Sequence, residues 1–246
     1  MVIDWRLLIF VFNTIQPLPR CLFAITANTE PLTQAAPNTM PEYEVKLPLE
    51  PTAVLCPNKE LESTVLSTFD MPSSVTKQNI QFLNPIGKDI YTAGWSVPIR
   101  KIENDDGFDA GDANCKTKVV ESINSWMDLP GELNLRVMLI DEAPNNFDNW
   151  QGNDWGTGAL VELRIFGPVC AKRSVGKWEG IWLYIKVWPI GNRVDTEIDY
   201  LVEASFKTEC CRTTSIKHDS LISYLQGKGW FLCKDSLKMQ LIMERY

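Results

Sequence analysis

The chain has 246 residues, with 24 Lys and Arg against 31 Asp and Glu, a formal charge of -7, 45% hydrophobic and 22% charged residues. This composition belongs to a globular chain long enough to bury a sizeable core, and it excludes intrinsic disorder. The acidic balance without a basic run lacks the footprint of a nucleic-acid binder, no apolar stretch is long enough to span a membrane, and a single histidine, His218, argues against His-rich metal sites and histidine-activated nucleophiles.

Residues 1–27 stand apart from the rest. Arg6 precedes an apolar run from Leu7 to Phe12, and the segment closes on Ile25-Thr26-Ala27. That order predicts a signal peptide cleaved after Ala27, and hence secretion; an apolar N-terminal strand is the competing reading. Cleavage removes Asp4, Arg6, Arg20 and Cys21, leaving 30 acids, 22 bases and six cysteines. An even cysteine count fits an oxidising compartment, with buried free thiols as the alternative. The vicinal Cys210-Cys211 pair and the lack of any C-x-x-C exclude a structural zinc pattern, and no N-x-[ST] sequon occurs.

Residues 28–41 carry three prolines and read as a flexible lead-in to a single domain over 42–246. Residues 42–49 alternate, with Tyr43, Val45 and Leu47 on one face and Glu42, Glu44 and Lys46 on the other, which predicts a strand. Leu61, Val65 and Phe69 at spacing four predict a short helix over 59–69. Strands are predicted over 79–83 and 94–102, where Pro98 marks an edge or bulge. An acidic loop over 103–112 follows, then strands over 116–120 and 133–140 and a second polar loop over 141–158. Further strands are predicted over 159–166, 168–175, 180–189 and 198–208, and helices over 218–227 and 235–245. Many antiparallel strands with few helices predict an α+β, mostly β architecture, a barrel or a sandwich.

Glu42, Glu44 and Lys46 on one face of a strand set two hard oxygen ligands for Mg²⁺ or Mn²⁺ beside an ammonium that suits phosphate. A solvated outer face accounts for the same pattern. Glu-x-Glu-x-Lys near the start of a β-rich chain resembles the CYTH family, the triphosphate tunnel metalloenzymes. The order of elements agrees: a helix after the first strand, then Ala93-Gly94-Trp95 leading to Ile99-Arg100, then Lys172-Arg173, then Glu203 in Leu201-Val202-Glu203-Ala204-Ser205, then a Leu-rich helix and Gly229-Trp230.

The resemblance implies an antiparallel eight-stranded barrel around a polar tunnel. It implies Glu42 and Glu44 as catalytic carboxylates, and Glu42, Glu44 and Glu203 as ligands of Mg²⁺ or Mn²⁺. Lys46, Arg100, Lys172 and Arg173 become the candidate contacts for a phosphorylated small molecule or polyphosphate, with no nucleic-acid or membrane partner. The implied reaction is divalent-metal-dependent hydrolysis of a triphosphate or polyphosphate. Some positions depart from the family pattern: Pro98 stands where a second basic residue belongs, Lys186 where an acid belongs, and Ser205 where a second late Glu belongs. An inactive barrel that binds an anion, or an unrelated disulfide-stabilised β protein, are therefore the alternative readings.

Neither acidic loop has the ligand spacing of a helix–loop–helix calcium site. His218, at the start of a predicted helix, is expected at the surface. Trp182 and Trp188, which share one side of a strand, are expected in wall packing. Nine of the 30 acids lie in the two loops, five over 103–112 and four over 141–154, so the rest of the chain is close to neutral and compatible with an anionic ligand.

Overall fold

A computed structural model describes residues 10–11, 26–27, 43–103, 132–141, 143, 145–191, 197–234 and 238–246. The predicted strand over 116–120, most of the first acidic loop, the lead-in, Glu42 and Cys115 lie outside the described residues. Six long strands form the framework: β1 (Tyr43–Leu49), β2 (Thr76–Pro85), β3 (Trp95–Ile102), β4 (Leu163–Trp178), β5 (Ile181–Gly191) and β6 (Ile198–Thr208). All pairings are antiparallel, in the order β3-β2-β4-β5-β6-β1. Two-residue segments flank the edges, Phe10–Val11 on β3 and Thr26–Ala27 on β1. The expected closed barrel of eight strands is thus a half-barrel of six long ones. Among the described residues no ladder joins β1 to β3.

Helices cover the convex side in two groups. Over β1, β5 and β6 lie α1 (Pro51–Val54), α2 (Ser63–Thr68) and later α7 (Cys211–Gly227). Val45, Leu47, Leu183, Ile185, Val202, Ala204 and Phe206 meet Val65, Phe69, Leu221 and Leu225 there. Beside β2, β3 and β4 lie α3 (Asp89–Thr92), α4 (Glu132–Asp141), α5 (Asn145–Asp148) and α6 (Trp155–Val161). Trp95, Val97 and Leu83 meet Leu135, Leu139, Phe147 and Leu160 there. The concave side receives one helix, α8 (Lys238–Arg245), whose Met239, Ile242 and Met243 pack on Ile80, Phe82, Val169, Trp188 and Ile190.

Local chemistry explains the turns. Glu179 and Gly180, at φ 44° and 84°, make the two-residue connection of the β4–β5 hairpin, and two positive φ values match the right-handed twist of the strands. Gly176 is required for another reason: a Cβ there would lie 2.1 Å from the Phe69 carbonyl oxygen, which accepts from the Lys177 N–H at 2.7 Å. Pro98 lies on β3, the outer long strand on its side, as its missing N–H predicts.

Several elements differ from expectation. Residues 133–140 form helix α4, not a strand. Leu133, Leu135, Val137 and Leu139 alternate as in a strand, but the spacing of four also fits a helix, which buries Leu135 and Leu139 while Leu133 and Val137 stay exposed. The polar loop over 141–158 contains α5 and the start of α6, held by Phe147 beneath Trp95 and Trp155. The two strands predicted over 159–175 are one long strand, β4, entered after α6. Helix α7 starts at Cys211, so His218 sits mid-helix and is buried, not at the surface. The five described cysteines, Cys56, Cys170, Cys210, Cys211 and Cys233, are free thiols, so no disulfide joins any of them to another. Among the described residues no helix is long and apolar enough to cross a membrane.

Candidate functional site

Strand alternation sorts side chains between the two faces. On β1, odd-numbered Val45, Leu47 and Leu49 enter the convex core, so Glu44 and Lys46 face the concave side. On β5 and β6 the same rule sends Tyr184, Lys186, Glu203, Ser205 and Lys207 to the concave side. Register then builds rows across the sheet. Glu203 stands between Pro48 of β1 and Lys186 of β5; Lys186 faces Arg173 of β4, and Arg173 faces Thr76 of β2. One row along, Ser205 stands between Lys46 and Tyr184, and beyond it Lys207 faces Glu44.

Glu44 and Glu203 each meet an ammonium. Lys46 Nζ lies 3.0 Å from Glu44 Oε2, and Lys238 Nζ donates to Glu203 Oε2 at 3.0 Å. Lys238 reaches in from α8 and sits 4.1 Å from the centre of the Trp188 ring. Arg173 stacks on Tyr184 at 5.9 Å. Burial raises the Glu203 pKa, but Lys238, Lys46 and Lys186 outweigh it and hold the carboxyl at about 2. Burial likewise opposes ionisation of Glu44, and Lys46, Lys186 and Lys207 lower its pKa in net. Lys186 is the opposite case. Burial first and the Arg100 charge second pull it down to about 7, against the attraction of Glu203 and Glu44. Lys238 is also lowered, by burial, although Glu203 pulls it up.

The influence of Arg100 on Lys186 has a geometric meaning. Arg100 lies on β3, opposite Ile80 of β2, and β3 is three strands away from β5. In a flat sheet three steps span about 14 Å, and Arg100, opposite Ile80 of the concave cluster, lies on the same face as Lys186. Six cations therefore gather here, Lys46, Arg100, Arg173, Lys186, Lys207 and Lys238, against the carboxylates Glu44 and Glu203.

Of the residues singled out from sequence, Glu44, Lys46, Arg100, Arg173 and Glu203 share this face. Lys172 does not: it pairs with Val187 and Lys77 on the convex side, where its Nζ lies 3.4 Å from Glu60 in the open. Glu42 lies outside the described residues. Among the described residues no group of three or more metal-binding side chains forms. Trp188 is buried beneath Lys238, whereas Trp182 is 58% exposed with Lys177 5.0 Å from its ring centre. Lys186, Lys207 and Lys238 are additions to the contacts expected from sequence. Alternation from Lys46 and Glu203 points to the first two. For Lys238 no sequence signal exists, because nothing local says that α8 enters the concave side.

No family model matches this chain, and no curated protein does. Among solved structures it is similar to the putative adenylyl cyclase HpAC1 from Hippeastrum, described as having a dominant triphosphatase activity. The likeness covers 83% of this chain and 97% of that one, at 18% identity and a TM-score of 0.44.

Proposed function

We propose that the concave face binds a triphosphate or polyphosphate and, with a divalent metal, hydrolyses its terminal phosphoryl group. The observation that carries this reading is the surplus of cations on a curved, partly buried face of an acidic chain. Burying like charges together is costly without a counter-ion, and a polyanion is the counter-ion that such a face accommodates. Lys46, Arg100, Arg173 and Lys186 bind phosphoryl oxygens in this reading. The arginines do so as planar forks and the lysines as point charges.

The donor set fits a metal in one respect. Glu203 Oε1 is buried with no hydrogen-bond partner, and its carboxyl is ionised. Glu203 and Glu44 would hold Mg²⁺ or Mn²⁺, which would polarise the phosphoryl group and offset its charge. Lys46 and Lys238 keep both carboxylates ionised, and Lys186, poised near neutrality, gains its proton as the anion arrives.

Phosphate release from tripolyphosphate with Mn²⁺ tests the reading, with Glu44→Ala as the control. Release by the wild type that is lost in the variant supports it; no release and no binding overturns it. The ion pairs already made by both carboxylates favour a second reading, an anion-binding face without turnover. Calorimetric binding of tripolyphosphate with no phosphate release would select that one.

Secretion is a separate proposal, resting on residues 1–27. Cleavage after Ala27 would remove both edge pairings, that of Phe10–Val11 and that of Thr26–Ala27. N-terminal sequencing of the exported protein decides it: a mature chain starting at Asn28 supports a signal, and a retained Met1 overturns it.

A further inference from the structure

On the reading of the concave face as a phosphate site, we infer that Gln78 is a further member of that site, whose carboxamide positions the attacking water against the terminal phosphoryl group. Gln78 lies on β2, opposite Ala171 of β4 and Ile102 of β3. It shares the face of Ile80, which packs in the concave cluster and stands opposite Arg100. Its side chain is 0% exposed, and neither Oε1 nor Nε2 has a hydrogen-bond partner. Among the described residues it is the one side chain with two polar atoms in that state.

A buried carboxamide with neither atom bonded is destabilising, and a leucine of similar size would avoid that cost. A residue that weakens the fold while facing a cluster of charged groups is a candidate for use by a ligand. The diagonal neighbours of Gln78 on this face are Arg100 on one side and Arg173 on the other. Both are long side chains that a polyanion draws toward itself, uncovering the floor between them.

None of the charged groups of the site both donates and accepts. Guanidinium and ammonium groups only donate, and the two described carboxylates are engaged by lysines. A carboxamide supplies both functions at one point. Oε1 accepts a hydrogen bond from water, and Nε2 donates to a phosphoryl oxygen, which holds the two reactants together. The water oxygen bonds to the terminal phosphorus as the bridging P–O bond breaks. Diphosphate leaves, one water proton stays on the new orthophosphate, and the other passes to a phosphoryl oxygen. Gln78 forms no bond and keeps its protons.

The test compares the full-length wild type with Gln78→Leu and Gln78→Met in Mn²⁺-dependent phosphate release from tripolyphosphate, with Tm measured alongside. The expected result is a kcat lower by about a hundredfold, KM changed by less than about threefold, and Tm unchanged or raised. An unchanged kcat overturns the inference. So does a Tm that falls together with kcat in both variants, because Gln78 then serves the fold. A wild type that releases no phosphate removes the reading of the face itself, and this inference with it, and that outcome is visible before any variant is compared.

Discussion

Strand β5 shows two environments within one element. Leu183, Ile185 and Val187 point to the convex side and are buried against apolar partners from β1, β6 and the helices. Tyr184, Lys186 and Trp188, one residue out of step, point to the concave side among Arg173, Glu203 and Lys238. The convex side gains stability from removing apolar area from water, a contribution that does not depend on the ionisation of any group. The concave side holds charges whose burial costs free energy and whose pairing returns only part of it. The first face keeps the half-barrel folded, and the second, in the proposed function, is the one that takes up an anion.

The largest expected effect breaks the convex side. Phe206, 0% exposed, stands at the centre of that core. Phe206→Ala is expected to cost about 3–5 kcal/mol, measured by urea denaturation, with little change in tripolyphosphate affinity for the folded fraction. The concave counterpart is Glu203→Gln, which leaves the Lys238 ammonium buried without its carboxylate. That loss is expected at about 3 kcal/mol, and the double change Glu203→Leu with Lys238→Met should recover most of it, since apolar replacement of both partners is close to neutral. No paired substitution rescues Phe206→Ala in that way.

Acid separates the two faces as well. The folded-state pKa of Glu203 is about 2, below its ordinary value of 4.5. Its stabilisation is therefore present above that ordinary value and is lost as pH falls through about 2. In Glu203→Gln this part of the stability–pH curve should flatten, whereas Phe206→Ala should lower the whole curve without changing its shape.

Much of this division is legible in the sequence. Alternation in Tyr43 to Leu49 and in Ile181 to Trp188 separates apolar from polar sides, and the ladders follow it. Three features are not legible there. Helix α4 reads as a strand because Leu133 to Ile140 is apolar at both periods, and only the presence of an outer face on β2, β3 and β4 decides between them. Lys172 and Arg173 are adjacent, so their faces depend on a register that β5 fixes from a distance. Lys238 belongs to a helix whose docking is decided by Met239, Ile242 and Met243 against strands far away in the chain. Local pattern thus fixes which residues share a face, and tertiary pairing fixes what that face encloses.

A smaller effect tests the charge balance of the concave side. Lys186 is held at about 7, below its ordinary 10.5, so in the free protein it carries its full charge only below about pH 7. The folded state pays for that charge at low pH and is relieved as pH rises from about 7 toward 10.5, which is the sign expected of a buried base with a lowered pKa. Lys186→Met is therefore expected to raise Tm at pH 6 and to weaken tripolyphosphate binding by about tenfold, or about 1.4 kcal/mol. The wild type's loss of affinity as pH passes upward through neutrality should be smaller in this variant, because the group that discharges there is gone. Calorimetry on both sides of pH 7 checks the second point.

The smallest effect is the sharpest test of which face is which. Lys172 and Arg173 are neighbours in the chain, yet one pairs with Glu60 at 3.4 Å on the convex side and the other stands opposite Lys186 on the concave side. An exposed pair such as Lys172 with Glu60 contributes less than about 0.5 kcal/mol, so Lys172→Ala should leave both Tm and tripolyphosphate affinity almost unchanged. Arg173→Ala removes a guanidinium from the row proposed to hold the anion and should weaken binding severalfold at little cost in stability. Equal losses of affinity in the two variants would mean that long-range charge, not the concave row, attracts the anion; raising the salt concentration would then abolish both losses together.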